Sequence, residues 1–322
     1  MGCQGSGSAI PGSTPAPNSA LSEAERTLAS LKRLSEDAPL YEMYYAGDYG
    51  FDEHLRQSSA IDLAKDGFAC SCFAALGNPD ERLFGRNFDW YEHPALVLFT
   101  NPPNGYASIS MVDISYLGYD LRDDPRKNPD ALLNAPFLPF DGMNAKGLAV
   151  GMMAVPHAEG GDDPGKITLD ELEMIRLLLD HAGNVSEALE LMGKYNVDFG
   201  SVPVHYLVAD VQGNSALVEF LEGQPVIRQV GNSWQVATNF LVAEEQPKGA
   251  DSSCWRYNRL YTGLLDKEGR VDDKLGMSLL MGVAQEGEFA TRWSWIFDLT
   301  RRQAALAFGR DYQHVYEFKL EE

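Results

Sequence analysis

Long apolar runs are missing from this sequence, and so is positive charge. No stretch approaches the roughly 20 apolar residues that a membrane-spanning helix needs, and no complete secretory leader is expected. Lys and Arg number 26 against 47 Asp and Glu, a formal net charge of -21 over 322 residues. A surface so acidic repels phosphate backbones and anionic lipid, which argues against nucleic-acid and peripheral membrane binding. Cysteine is scarce too. The four are Cys3, Cys70, Cys72 and Cys254; none forms a CxxC pair, and the six histidines do not cluster with them. That argues against a disulfide scaffold and a metal centre, so neither a metal nor another cofactor is expected. Free thiols remain, whose ordinary role is that of a small buried hydrophobe.

What is present is an ordinary globular balance, 44% apolar and 23% charged, in a chain long enough for one large core. Residues 1–20, MGCQGSGSAIPGSTPAPNSA, read as a flexible tail. Gly2-Cys3-Gln4 is similar to the cleavage end of a bacterial lipoprotein signal, which implies a lipid anchor on Cys3 and an extracytoplasmic or periplasmic setting. The plain alternative is a tail with one surface cysteine on a cytoplasmic protein.

Leu21 to Leu34 has helical apolar spacing with Ser22 and Glu25 as a capping box, and Pro39 is expected to end that element. After Phe68 short apolar runs alternate with turn residues. Strands are expected near 70–76, 83–89, 95–100, 107–113, 147–155, 204–210, 215–220, 226–230, 234–239, 293–299, 303–308 and 314–320. Helices are expected from the Thr168/Glu171 box to Ala182, from the Asn184/Glu187 box to Met192, and over Asp273 to Ala284. Strands, then paired helices, then strands again predict an α+β domain. The acidic run at 158–165 reads as a solvated loop.

The chemistry-bearing stretch is FACSCFAALGNPDERLFGRNFDW, Phe68 to Trp90. Asn78-Pro79-Asp80-Glu81 reads as a turn between two strands, folding Arg86 back toward Cys70 and Ser71 and Asp89 toward the strand start. A thiol at its ordinary pKa needs a base. No histidine is marked for that role, although His157, His181 and His205 stay open. The α-amine of the cysteine itself would serve, with a reference pKa of about 8, if the preceding peptide bond were cut.

These residues resemble the start of the choloylglycine hydrolase and penicillin V acylase superfamily of N-terminal-nucleophile hydrolases. The likeness is closest to the branch with isopenicillin-N acyltransferase and acid-ceramidase-like enzymes, which carry a pro-segment. The resemblance rests on Cys70-Ser71-Cys72-Phe73 and Gly85-Arg86-Asn87-Phe88-Asp89, then on DGMNAKGLAVG (Asp141 to Gly151), VATNF (Val236 to Phe240) and TRWSWIFDL (Thr291 to Leu299). It implies a four-layer αββα sandwich of two mainly antiparallel sheets, a pro-segment over 21–69 and a catalytic domain over 70–322. It implies autocleavage between Ala69 and Cys70, with Cys70 as nucleophile and Arg86, Asp89, Asn239 and Arg292 as its site partners. Cys72 takes a small-residue position. Ala154 stands where bile-salt and penicillin V hydrolases carry an asparagine, which leaves its backbone as a candidate oxyanion donor beside Asn239.

The implied activity is hydrolysis of a linear amide of a small N-acyl substrate through a thioester. The alternatives are transfer of the acyl group to an amine, or a non-enzymatic binding protein that keeps the fold. A homo-oligomer is compatible with the sequence. Tyr44, Tyr45, Tyr49, Met152, Met153, Trp293 and Trp295 are open to two readings, acyl pocket or plain core.

Overall fold

The computed structural model describes residues 21–56, 70–200 and 202–320. The tail with Cys3, and Ala69 with the expected cleavage bond, lie outside the described residues. Two sheets dominate. One has nine strands in the order Lys32–Arg33, Leu40–Tyr44, Ala95–Thr100, Ser108–Asp113, Asp141–Asn144, Leu148–Ala154, Val204–Asp210, Ser215–Leu221, Gln224–Arg228. The other has six, in the order Trp234–Ala237, Ser71–Ala75, Leu83–Asp89, Thr291–Asp298, Gln303–Phe308, Val315–Lys319. Nearly all pairings are antiparallel; the exceptions are Leu40–Tyr44 with Ala95–Thr100 and the small ribbon of Thr168–Asp170 with Asn196–Asp198.

Strand Ser71–Ala75 touches Leu148–Ala154 and Val204–Asp210 across the gap, so the sheets stack face to face. Helices Glu171–His181 and Val185–Met192 cover the nine-stranded sheet, while Trp255–Leu265 and Asp273–Met281 cover the six-stranded one. The result is the αββα sandwich, and its layering explains the central sequences. Ser71–Ala75 and Leu83–Asp89 are buried at every position, because one face meets the other sheet and the other meets helices.

Local chemistry sets the hairpin that carries the site. Asn78 Oδ1 accepts from the Asp80 N–H at 3.2 Å, an Asx turn. The return strand then pairs Cys72 with Arg86 and Ser71 with Asn87. Gly85 is required at that crossing, since a Cβ there would lie 2.2 Å from the Phe73 ring. Gly151 on the facing sheet makes room for Arg86, whose Cδ would be 2.9 Å from an added Cβ.

Two expectations need correction. The first helix keeps its Ser22/Glu25 capping box but spans only Glu23–Ala29. The chain then turns, the Leu34 N–H bonds the Leu40 carbonyl at 2.8 Å, and Lys32–Arg33 pairs with Tyr41 and Glu42. Burying Leu40, Tyr41 and Met43 at the sheet outweighs helix propensity, so Pro39 terminates nothing. The second helix starts at an Asp170/Glu173 box, two residues later than expected, because Thr168–Asp170 is taken into the ribbon. Of the residues open to two readings, Met152, Met153, Trp293 and Trp295 are at most 2% exposed, which favours core.

Candidate active site

Cys70 stands immediately before its strand and is 1% exposed. Its backbone N–H donates to Asn239 Oδ1 at 2.7 Å, and its carbonyl accepts from Arg256 Nη1 at 2.8 Å. Arg256 Nη2 also donates to Asn239 Oδ1 at 2.7 Å, and Nη1 meets Asp89 Oδ2 at 3.1 Å. With donors from Cys70 and Arg256 converging on it, that side of the Asn239 amide must be oxygen. Its Nδ2 then donates to the Ala154 carbonyl at 2.8 Å. Asp89 is further held by Thr291 Oγ1 at 2.5 Å and Gln285 Nε2 at 2.9 Å.

Cys70, Asp89 and Asn239 therefore meet as expected in space. Ala154 joins them, but through its carbonyl oxygen, the opposite polarity to the backbone donor expected there. Arg86 lies one layer deeper. It is fully buried, with Nε on Asp141 Oδ2 at 2.8 Å, and Nη1 on the Met152 carbonyl and 3.5 Å from Cys72 Sγ. Trp293 Nε1 donates to the same Asp141 oxygen at 2.8 Å. Arg86 thus acts on Cys70 as a nearby charge.

Arg292 does not close this network among the described contacts. Its Nε donates to the Trp90 carbonyl at 2.6 Å and its Nη2 to the Glu288 carbonyl at 3.0 Å. On the strand, Trp293 points inward, and its neighbour points away. The second arginine of the site is Arg256, which sequence reasoning missed. It stands in the first turn of helix Trp255–Leu265, where no acidic residue sits. A cation there opposes the helix dipole unless an anion compensates, and that mismatch was the available signal. Asp89 is the anion.

Burial raises the Cys70 thiol pKa, and Asp89 adds to this; Arg86, the Asp89 backbone N–H and Arg256 work against it. The thiol is therefore neutral at pH 7 and needs a base. Burial also lifts Asp89 to about 6, against Arg256, Thr291 and Gln285, which favour its charged form. Cys72 is pushed to about 12 by burial, despite Arg86 beside it. The histidines all have partners elsewhere: His54 with Glu173, His93 with Asp113, His157 with Glu244, His181 with Asp52, His205 with Glu219 and His314 with Asp311.

A thiol, an adjacent backbone nitrogen, two carboxylate-anchored arginines and an asparagine make an acyl-transfer constellation. Residues 134–312 match the family model described as acyl-coenzyme A:6-aminopenicillanic acid acyl-transferase, more than half of the chain. The chain belongs to that family. The matched residues include Ala154, Asn239, Arg256 and Arg292, and they begin after Cys70 to Asp89. Among solved structures, penicillin V acylase from Agrobacterium tumefaciens is similar at TM-score 0.59 and 18% identity, covering 78% of this chain and 86% of that one. A mutant conjugated bile acid hydrolase from Clostridium perfringens is similar at TM-score 0.57 and 15% identity, covering 78% and 92%. At those identities the likeness establishes the N-terminal-nucleophile hydrolase fold. No curated protein sequence matches the chain.

Proposed function

We propose that this member of the acyl-transferase family is an amidase that cuts a linear carbon–nitrogen bond of a small N-acyl substrate, using Cys70 after hydrolysis of its own Ala69–Cys70 bond. One observation carries the reading: the backbone nitrogen of Cys70 is held by a side-chain acceptor, Asn239 Oδ1, inside the charged cluster. The same Asn239 oxygen is also bound by Arg256, which pairs with Asp89, and every histidine is engaged elsewhere.

In this scheme cleavage turns the Cys70 amide into an α-amine of reference pKa about 8. Asn239 Oδ1 keeps hold of that nitrogen, and Asp89, linked to Asn239 through Arg256, balances its charge when it becomes an ammonium. The amine takes the Sγ proton, and the thiolate attacks the substrate carbonyl carbon. The Asn239 Nδ2 group, now on the Ala154 carbonyl, is assigned to the oxyanion. The ammonium returns its proton to the departing nitrogen as the C–N bond breaks. Water then attacks the thioester, releasing the acid and restoring the thiol. Losing one oxyanion donor costs about 3 kcal/mol in the chemical step.

The test is mass analysis of purified protein beside assays with penicillin V and N-acyl amino acids. A fragment beginning at Cys70, with hydrolysis lost in Cys70→Ser, supports the reading. An active enzyme that remains one uncut chain overturns it. The family match favours a second reading, transfer of the same acyl group to an amine. Adding an amine acceptor and resolving acid from new amide decides between them.

A further inference from the structure

We propose that His205 and Glu219 are positioning residues that act through the segment 238–243 to set Asn239 against Cys70. The inference rests on the reading above, in which Asn239 serves Cys70. Both side chains are 0% exposed and belong to the nine-stranded sheet, whereas Asn239 follows the edge strand of the six-stranded one. The register that pairs Tyr206 with Val218 sets His205 beside Glu219, Nδ1 to Oε1 3.3 Å.

From there the contacts cross to the other sheet and converge on one short stretch. His205 Nε2 donates to the Thr238 carbonyl at 2.8 Å. Glu219 Oε1 accepts from the Val242 N–H, and Oε2 from the Ala243 N–H, each at 2.7 Å. Arg228 Nε lies 3.5 Å from Glu219 Oε2, and its Nη2 donates to the Ala243 carbonyl at 3.1 Å. Asn239 is thus spanned: the residue before it is pinned by His205, and the residues three and four after it by Glu219.

A buried ionisable pair is costly, and an apolar pair of the same volume would pack the sandwich as well. What the polar pair supplies that an apolar one cannot is direction, because its bonds fix the height of Asn239 between the sheets. That height decides whether Oδ1 reaches the Cys70 nitrogen and Nδ2 the Ala154 carbonyl. Misplacing a contacting group by about 1 Å costs up to about a hundredfold in rate.

The test uses the full chain carrying Glu219→Gln, His205→Gln or His205→Ala, each alone and with Asn239→Ala. Two quantities are read: kcat and KM for penicillin V, and the rate of Cys70 alkylation by iodoacetamide, located by peptide mass. Glu219→Gln should lower kcat about tenfold while KM stays within about twofold. His205→Gln, which keeps a donor for the Thr238 carbonyl, should retain more activity than His205→Ala. Combined with Asn239→Ala, none should alter either quantity further. Full additivity in the combined variants overturns the proposal, as does a fall in melting temperature with kcat unchanged. Alkylation needs no substrate. If it shows the same non-additivity while neither penicillin V nor any N-acyl amino acid is turned over, the positioning role stands and the amidase reading fails.

Discussion

Arg256 and Asp89 form a buried ion pair, Nη1 to Oδ2 3.1 Å, and the same guanidinium reaches the Cys70 carbonyl and Asn239 Oδ1. One side chain therefore orders two others and the Cys70 backbone. Arg256→Gln should lower turnover by at least about a hundredfold, since it leaves Asp89 buried without its cation and frees Asn239 to shift. Arg292→Gln, whose bonds run to the Trp90 and Glu288 carbonyls, should stay within about threefold. Steady-state kinetics on the two variants check this; equal losses would put Arg292 back in the site.

Asp89 gives the pH dependence. Its pKa is lifted to about 6, so the carboxylate forms as pH rises through that value, and activity should rise with it. Gln285 Nε2 stabilises the charged form at 2.9 Å, so Gln285→Leu should move this acid limb to higher pH. A limb that moves down, or does not move, assigns it to another group.

Cys70 and Cys72 should part company. Cys70→Ser should abolish hydrolysis. Cys72→Ser should keep it within a few-fold, because the Cys72 thiol touches Arg86 and stays protonated to about pH 12. Activity assays with mass-located thiol labelling settle the matter; equal loss in both would break the assignment of Cys70.

Most strands were legible because each is a short apolar run bounded by turn residues, and Val204–Asp210 and Gln303–Phe308 fall where the pattern put them. Cys70, Asp89 and Asn239 were legible through motif order. Three features were not, each for a physical reason. Helix Trp255–Leu265 has a Cys at its N-cap with no side-chain cap bond, and Gly263 inside it, so it carries no start signal. Arg256 rides on that helix, and its partners Asp89 and Cys70 lie 167 and 186 residues away in the chain. Strand Leu40–Tyr44 hides in an aromatic stretch because its full-length pairing, to Ala95–Thr100, is parallel and leaves no hairpin signature.

Stability should fall toward alkaline pH. Burial raises Asp170 to about 7, with Glu173 adding to it, and Glu171 to about 8, with Asp170 adding to it. A carboxyl raised in the folded state contributes stability that is complete below its unfolded pKa, about 4, and is lost as pH rises through 7 and 8. Melting temperature should therefore drop between pH 5 and pH 9, over the range set by those two groups. Glu171→Gln should flatten the drop, raising the alkaline value and leaving the acid one nearly unchanged. Calorimetry across that range checks it; an unchanged slope would place the titration elsewhere.

Leu40, Tyr41 and Met43 belong to the core, although they precede residue 70. If the backbone is severed there, the interior of the sandwich is shared by two separate molecules. They would remain together in native buffer, since that edge is paired to Ala95–Thr100 along its length. After denaturant, however, they would have to find each other by diffusion. Recovery would then become second order, falling with dilution, whereas an unsevered chain would regain its shape at any concentration.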